Sequence, residues 1–383
     1  MSATAVAHSN IALVKYWGKR LDTDPLLNLP AVGSISVTLD GLKTTTTVAF
    51  EGTGPDRVQI GESRDVLHDA DKATERRVST FLDLIRNRAG IRTGAVVRTH
   101  NNFPTGAGLA SSASAFAALA MAASQAAGLR LSAKQLSILA RCGSGSAARS
   151  IFGGFVELHR GVRSDGEDCF AEPMASATHW PLAVVVAVTN EKPKSVGSTR
   201  GMGETAASSP YYGAWVDSHA ADMSEARQAI QNKDFERLAR VTEYSCLKMH
   251  ASMFSLSPQP GLVYWEWQAT VDVMQCGAGL SQSGRRGMFT IDADRTAAIC
   301  LLQVQAHSHR FADIPGVQRV IRTALAQTLR FRRARHENRL RNGSGKAGPT
   351  RGLRRCFTAR RHWLSQRTEP HVSLSVRQMM VVV

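Results

Sequence analysis

The stretch that most restricts the fold is residues 101–112, which read Asn101, Asn102, Phe103, Pro104, Thr105, Gly106, Ala107, Gly108, Leu109, Ala110, Ser111 and Ser112. Ahead of it, Gly94 to His100 alternates enough to form a strand, and behind it an alanine-rich run extends from Ala113 to Gly128. That run has high helix propensity and no internal proline. The order is therefore strand, glycine loop, helix N-terminus. Free backbone N–H groups and the positive end of the helix dipole meet at such a junction and suit bound phosphate. The glycines let the backbone approach an anion without Cβ interference. Ser111 and Ser112 add hydroxyls for capping, phosphate or a metal ion. No Gly-Lys-Ser/Thr follows, so this is not a Walker A loop, and the glycine spacing does not fit a dinucleotide turn. A plain glycine turn with a serine cap has the same appearance, and the stretch alone does not choose between the two.

Other segments carry cations and small residues. His8 to Arg20 begins as a strand and ends in a basic aromatic turn, where Lys15, Lys19 and Arg20 bring three cations together. Such a cluster suits an anionic ligand, and a solvated strand end over core aromatics would look the same. Leu29 to Leu39 is a turn into a strand, and Thr44 to Phe50 is a further β-rich run. Val78, Phe81, Leu82 and Ile85 space an amphipathic helix within 65–88. Leu131 to Arg141 reads as a helix capped by Ser132, followed by a small-residue loop at 143–150 that holds Ser144, Ser146 and Arg149. Pro181 to Val188 reads as a buried strand, with a domain boundary just before it. Asn190 to Ser209, which includes Ser198, has the Gly, Ser and Lys content of a mobile substrate loop. Phe235, Leu238 and Val241 space another helix, and 287–292 is a short strand ending in Asp292.

A chain of 383 residues suits about two domains. The expected division is 1–180, 181–325 with an atypical stretch at 275–311, and a basic tail at 326–383. No apolar run reaches the roughly 18 residues of a membrane span, and Met1 to Ser9 lacks a secretory pattern. The six scattered cysteines form no CxxC pair, so a reduced, cytoplasmic protein without structural zinc is expected. The net charge of +16 is unevenly spread: residues 330–383 hold thirteen Arg, one Lys and two Glu, a net of +12, which leaves +4 for the rest. The tail has only Phe357 and Trp363 as aromatics after Phe331. Sparse stacking groups and the lack of an RNA motif argue against nucleic acid as the partner.

Taken in order, these pieces resemble the GHMP small-molecule kinase superfamily, and within it the diphosphomevalonate decarboxylase family. The resemblance rests on Asn10 to Arg20, Leu29-Pro30 with Ser34 to Leu39, Thr44 to Thr47, Asn101 to Ser112, Gly143 to Ser150 with Gly153 to Glu157, Gly197 to Met202, and Phe289 to Ala293. It covers about residues 5–274, with an island near 287–293. It implies a two-domain α+β fold, with an N-terminal ATP-binding domain of the ribosomal S5 domain 2-like type and a ferredoxin-like C-terminal domain. It also implies ATP-dependent decarboxylation of mevalonate 5-diphosphate to isopentenyl diphosphate, with Mg2+, in isoprenoid biosynthesis.

By the same resemblance, Asp292 is the catalytic aspartate near the 3-hydroxyl, as proton acceptor or orienter, Arg149 grips the substrate carboxylate, and Asn10 orients both carboxylate and Arg149. Lys15 places substrate charge and lowers the pKa of Asp292. Tyr16, Lys19, Ser144, Ser146 and Ser198 face the substrate. Asn102, Pro104, Gly106, Ala107, Gly108, Leu109, Ala110, Ser111 and Ser112 belong to the ATP site, with Ser112 nearest the γ-phosphate. For Ser34, Ser36 and Ser198 capping is the competing role. No side chain is assigned to the metal, and a homodimer, common in the family, is left open. The alternatives are a related mevalonate or phosphomevalonate 3-kinase or decarboxylase, and an inactive homologue with an RNA-binding tail. The sequence departs from the family after Asp292, where Ala293-Asp294-Arg295-Thr296 stands. Pattern is lost in parts of 275–311 and most of 323–383, as shifted reading frames would produce.

Overall fold

A computed structural model describes residues 1–103, 111–180, 182–188 and 197–256, residues 288, 290, 314–315 and 317–327, and the backbone of 297–302, 331–332 and 379–381. The first sheet is built on two long strands, β1 (Ser2–Val14) and β2 (Ser34–Phe50), paired antiparallel from Ser2 opposite Ala49 to Val14 opposite Ile35. Side chains of β1 alternate between buried and half-buried as far as His8, then all are buried from Ser9 onward. One-faced alternation becomes two-faced burial where a second layer covers the sheet.

The sheet widens through β3 (Arg57–Gly61), β4 (Leu67–Asp69) and β5 (Ala95–Asn101), with β5 antiparallel to β2 and parallel to β3. At the other end of β2, β6 (Phe155–Leu158) and then β7 (Ala171–Ala175) are added. Helices α1 (Lys72–Ala89), α2 (Ser111–Ala126) and α3 (Ala133–Gly143) build one core with this sheet. Helix α2 is buried nearly all round. Its alanines permit close approach to both β1 and α3.

The second sheet is centred on β8 (Ala183–Val188), an unbroken apolar strand flanked antiparallel by β9 (Ala297–Leu302) and β10 (Arg319–Ala324). Two short strands, β11 (Phe331–Arg332) and β12 (Met379–Val381), extend the first and second sheets respectively. Helices α4 (Ser198–Ser208), α5 (Tyr212–Asn232) and α6 (Phe235–Phe254) complete this half. One core joins the inner ends of β1 and β2 with β8, α5 and α6. The halves are also fastened by polar contacts. Arg227 of α5 donates a fork to Glu157 of β6 at 2.9 and 2.6 Å. After β10 the chain returns to β2, where Ala326 N–H donates to Thr38 O at 2.7 Å.

Several sequence expectations change. Helix α1 starts at Lys72 and not near 65, because Asp71 accepts from the N–H groups of Ala73 and Thr74 at 2.9 Å and β4 occupies 67–69. The two β-rich runs at 34–39 and 44–50 are a single strand, β2. Residues 198–208, read as mobile loop, form α4, and 145–151, read as loop, is a 3-10 helix. The longest helix, α5, was not foreseen: its buried positions include His219 and Asp222, which interrupt an apolar stripe. The expected capping of α3 by Ser132 takes the form of a capping box with Gln135. The short strand expected at 287–292 lies largely outside the described residues.

Candidate active site

Where residues of β1 and α2 meet the helices of the second half, there is a cavity of about 830 Å3. Most of its lining comes from the end of β1 and the chain that leaves it, the start of α2, the 3-10 turn after α3 and the start of α4, with Arg77 of α1 and Met249 of α6 added. The sequence-assigned residues Asn10, Lys15, Tyr16 and Lys19 line it from the first of these. Ser111 and Ser112 stand at the start of α2, Ser144, Ser146 and Arg149 on the turn, and Ser198 at the start of α4. Residues as far as 188 positions apart in sequence, Asn10 and Ser198, thus face one space. Pro104, Gly106, Ala107, Gly108, Leu109, Ala110 and Asp292 lie outside the described residues. Asn102 is not among the lining residues: its side chain accepts from Lys43 N–H at 2.7 Å and donates to Gly41 O at 2.9 Å, holding a bend in β2.

The cavity is strongly cationic. Lys15, Lys19, Arg77, Arg149 and Arg200 line it, and no Asp or Glu does so among the described residues. Arg149 is 2% exposed. Its Nε and Nη2 donate to Asn10 Oδ1 at 3.2 and 3.0 Å, and its Nη1 donates to Ser34 Oγ at 2.5 Å. The Asn10 amide is itself held, donating to Ser146 O at 3.0 Å and Ser150 Oγ at 2.7 Å. That network fixes the flip of the amide, with its oxygen toward Arg149. Arg149 forms no salt bridge among the described residues, and burial pushes its guanidinium down to about 10. A buried cation held only by neutral oxygens is costly, and an anion entering the cavity would relieve that cost.

Lys19 donates to Thr199 Oγ1 at 3.4 Å. Burial pushes its ammonium down to about 8, and neighbouring Arg77 acts in the same direction. Arg77 comes from α1, donates to Gly143 O at 2.8 Å and lies 4.5 Å from the centre of the Phe116 ring. The Tyr16 hydroxyl is shielded from solvent with no hydrogen-bond partner among the described residues, and burial raises its pKa. Gly145 makes room for it, since a Cβ there would stand 2.1 Å from that hydroxyl. Ser112, Ser144 and Ser146 form a chain of hydroxyls, each 3.3 Å from the next. This chain carries serine oxygens from the N-terminus of α2 to the turn that holds Arg149.

These features suit a ligand with several anionic groups. Hydroxyls at a helix N-terminus fit phosphate and a hard, phosphate-bound cation. Among the described residues no cluster of His, Cys, Asp and Glu could hold a metal ion. Arg77, Thr199 and Arg200 were not singled out in the sequence. Arg77 reads as one of several surface arginines of an amphipathic helix; the one local sign is its place four residues before buried Phe81.

Comparison with known proteins finds relatives of both halves of the chain. Residues 7–171 match the model of the diphosphomevalonate decarboxylase-like N-terminal domain, and residues 184–302 match that of the mevalonate 5-diphosphate decarboxylase C-terminal domain. Diphosphomevalonate decarboxylase of Candida albicans is 35% identical over 358 residues, covering 85% of this chain and 96% of the relative. The crystal structure of mevalonate diphosphate decarboxylase from Staphylococcus aureus superposes with a TM-score of 0.75 at 37% identity, covering 86% of this chain and 97% of that one. A structure described as MDDEF in complex with MVAPP, AMPPCP and magnesium has a TM-score of 0.75 at 34% identity, covering 87% and 99%. With both halves matched, the fold shared and the cation-lined cavity in place, the chain belongs to the diphosphomevalonate decarboxylase family.

Proposed function

We propose that this protein catalyses the ATP-dependent decarboxylation of mevalonate 5-diphosphate to isopentenyl diphosphate, in the cytoplasm. The observation that carries this reading is Arg149: a buried guanidinium without a carboxylate partner among the described residues, fixed by Asn10 and Ser34 at the wall of a cationic cavity. A planar fork of N–H donors fits a carboxylate in bidentate fashion. Lys15 adds charge beside it. Tyr16, Lys19, Ser144 and Ser146 receive the diphosphate, and Ser198 approaches from the start of α4. Ser111 and Ser112 meet the ATP phosphates, with 104–110 completing the nucleotide side. Mg2+, when bound, offsets the charge of those phosphates.

In the first step the 3-hydroxyl oxygen attacks the γ-phosphorus, its proton passes to the Asp292 carboxylate, and ADP leaves. In the second, the C3–O bond breaks and phosphate takes the bonding pair. The C1–C2 bond then breaks as CO2 departs, and its electrons form the C2–C3 double bond. The departing phosphate leaves positive character at C3, so the site must hold the carboxylate without neutralising it. Arg149 held to neutral side chains meets that need, because a polarised carboxylate in a fixed orientation still releases its electrons.

Release of CO2 and ADP should require both ATP and the diphosphate substrate. A stable 3-phosphate product, or equal use of the monophosphate, would instead identify a related 3-kinase. Unchanged turnover in Asp292→Ala would remove that residue from the mechanism.

A further inference from the structure

We propose that His219 is a positioning residue for this reaction, a role that rests on the functional reading above. His219 lies on α5 and does not line the cavity. It is 3% exposed, and its Nε2 stands 2.9 Å from Gly33 O. A carbonyl oxygen only accepts, so Nε2 carries the proton and Nδ1 is the unprotonated nitrogen. The residue after Gly33 is Ser34, whose hydroxyl receives Arg149 Nη1 at 2.5 Å. The chain of contacts therefore runs from His219 to the Gly33 carbonyl, then to Ser34 and the guanidinium.

Trp215, one turn earlier on α5, repeats the arrangement on the neighbouring segment. Its Nε1 donates to Trp17 O at 3.3 Å, and Trp17 lies between Tyr16 and Lys19. The His219 and Trp215 rings meet edge to face with centres 5.0 Å apart. The two donors form one packed unit, which holds the outgoing segment 15–19 through one carbonyl and the returning segment 30–34 through another. Those segments pair only at Lys19 and Pro30 beyond the end of the β1–β2 ladder, so the sheet alone ties them weakly. Packing is close at Gly33, where a Cβ would stand 3.0 Å from Leu158 O of β6 and 3.2 Å from Met223 Cε of α5.

Placement within about 1 Å governs catalytic groups, so loosening this clamp acts on the substrate side and not on the nucleotide side. The test uses the full chain and three proteins: wild type, His219→Leu and His219→Gln. Glutamine keeps an N–H donor near the Nε2 position and leucine has none. Steady-state kinetics with varied mevalonate 5-diphosphate and varied ATP are paired with calorimetric titration of the diphosphate substrate and thermal melting. His219→Leu should weaken the Kd of the diphosphate and lower its kcat/KM by about tenfold, with the KM for ATP changed by less than about twofold. His219→Gln should restore both to within about threefold of wild type. Equal losses for ATP and substrate that follow the fall in Tm, an unchanged Kd, or failure of glutamine to restore it would each overturn the role. If wild type binds the diphosphate but releases no CO2, the functional reading fails, and the Kd ratio still judges the clamp.

Discussion

Arg141 and Arg149 are separated by eight residues, leave the same helix-and-turn segment, and are both buried. Their surroundings divide them. Arg141 donates to the backbone carbonyls of Leu27 and Gly166 at 2.9 and 2.8 Å and also to Cys169 O, away from the cavity. Arg149 donates to two side-chain oxygens at the cavity wall. The adjacent pair Lys19 and Arg20 repeats the contrast. Arg20 is held by the carbonyls of Arg160, Gly161 and Arg163, while Lys19 faces the cavity. A cation spent on backbone carbonyls fastens loops. A cation held at one edge by neutral side chains is oriented, and keeps its charge for a ligand.

Arg149→Gln offers the largest effect with which to break this comparison. It should lower kcat for CO2 release by about 10^3-fold, the scale of losing an oriented donor at a reacting group, with a Tm near that of wild type. A large fall in Tm without loss of activity would place Arg149 with Arg141. Arg141→Met is the converse case. It leaves three carbonyls without their donor and should cost about 3 kcal/mol of stability by denaturant unfolding, while activity per folded molecule stays near wild type at a temperature where the variant is folded.

The smallest effect is a pH dependence at Lys19. Its pKa in the free protein is pushed down to about 8, so the charge that attracts a diphosphate is present below pH 8 and lost above it. Accordingly kcat/KM for the diphosphate substrate should fall above that pH, by up to about tenfold per unit for a single group. In Lys19→Arg the profile should stay flat through that range, because a guanidinium keeps its proton there. An identical break in both proteins would assign the titration to another group.

Much of the site was legible before any coordinates. Lys15, Lys19, Ser112, Ser144 and Arg149 occur in short segments whose composition already suggests anion binding, and the order of those segments points to the family. The hydroxyl chain from Ser112 to Ser146 follows from a helix start and a turn that sequence locates well. Arg77, Thr199, Ser34 and His219 were not assigned their roles because each depends on a partner far along the chain. His219 reads as an interruption of a helical stripe until Gly33, 186 residues earlier, is placed against it. Helix α4 was read as loop because its Gly and Ser content has low helix propensity. Gly201 packs there against the buried Trp17 ring, 3.3 Å from where a Cβ would stand.

By itself, the sequence determined which groups are available: a strand–loop–helix unit ending in serines, a cluster of cations at 15–20, and two apolar halves long enough to form separate sheets. These are local properties, set by propensity, periodicity and charge over short windows. Only the tertiary structure decided how each cation is used. Arg141 and Arg149, or Lys19 and Arg20, are equivalent by residue chemistry and differ in whether backbone carbonyls or an open cavity face the charged end. That choice is made when distant segments pack, because burial and hydrogen-bond partners are properties of the folded neighbourhood and not of the residue.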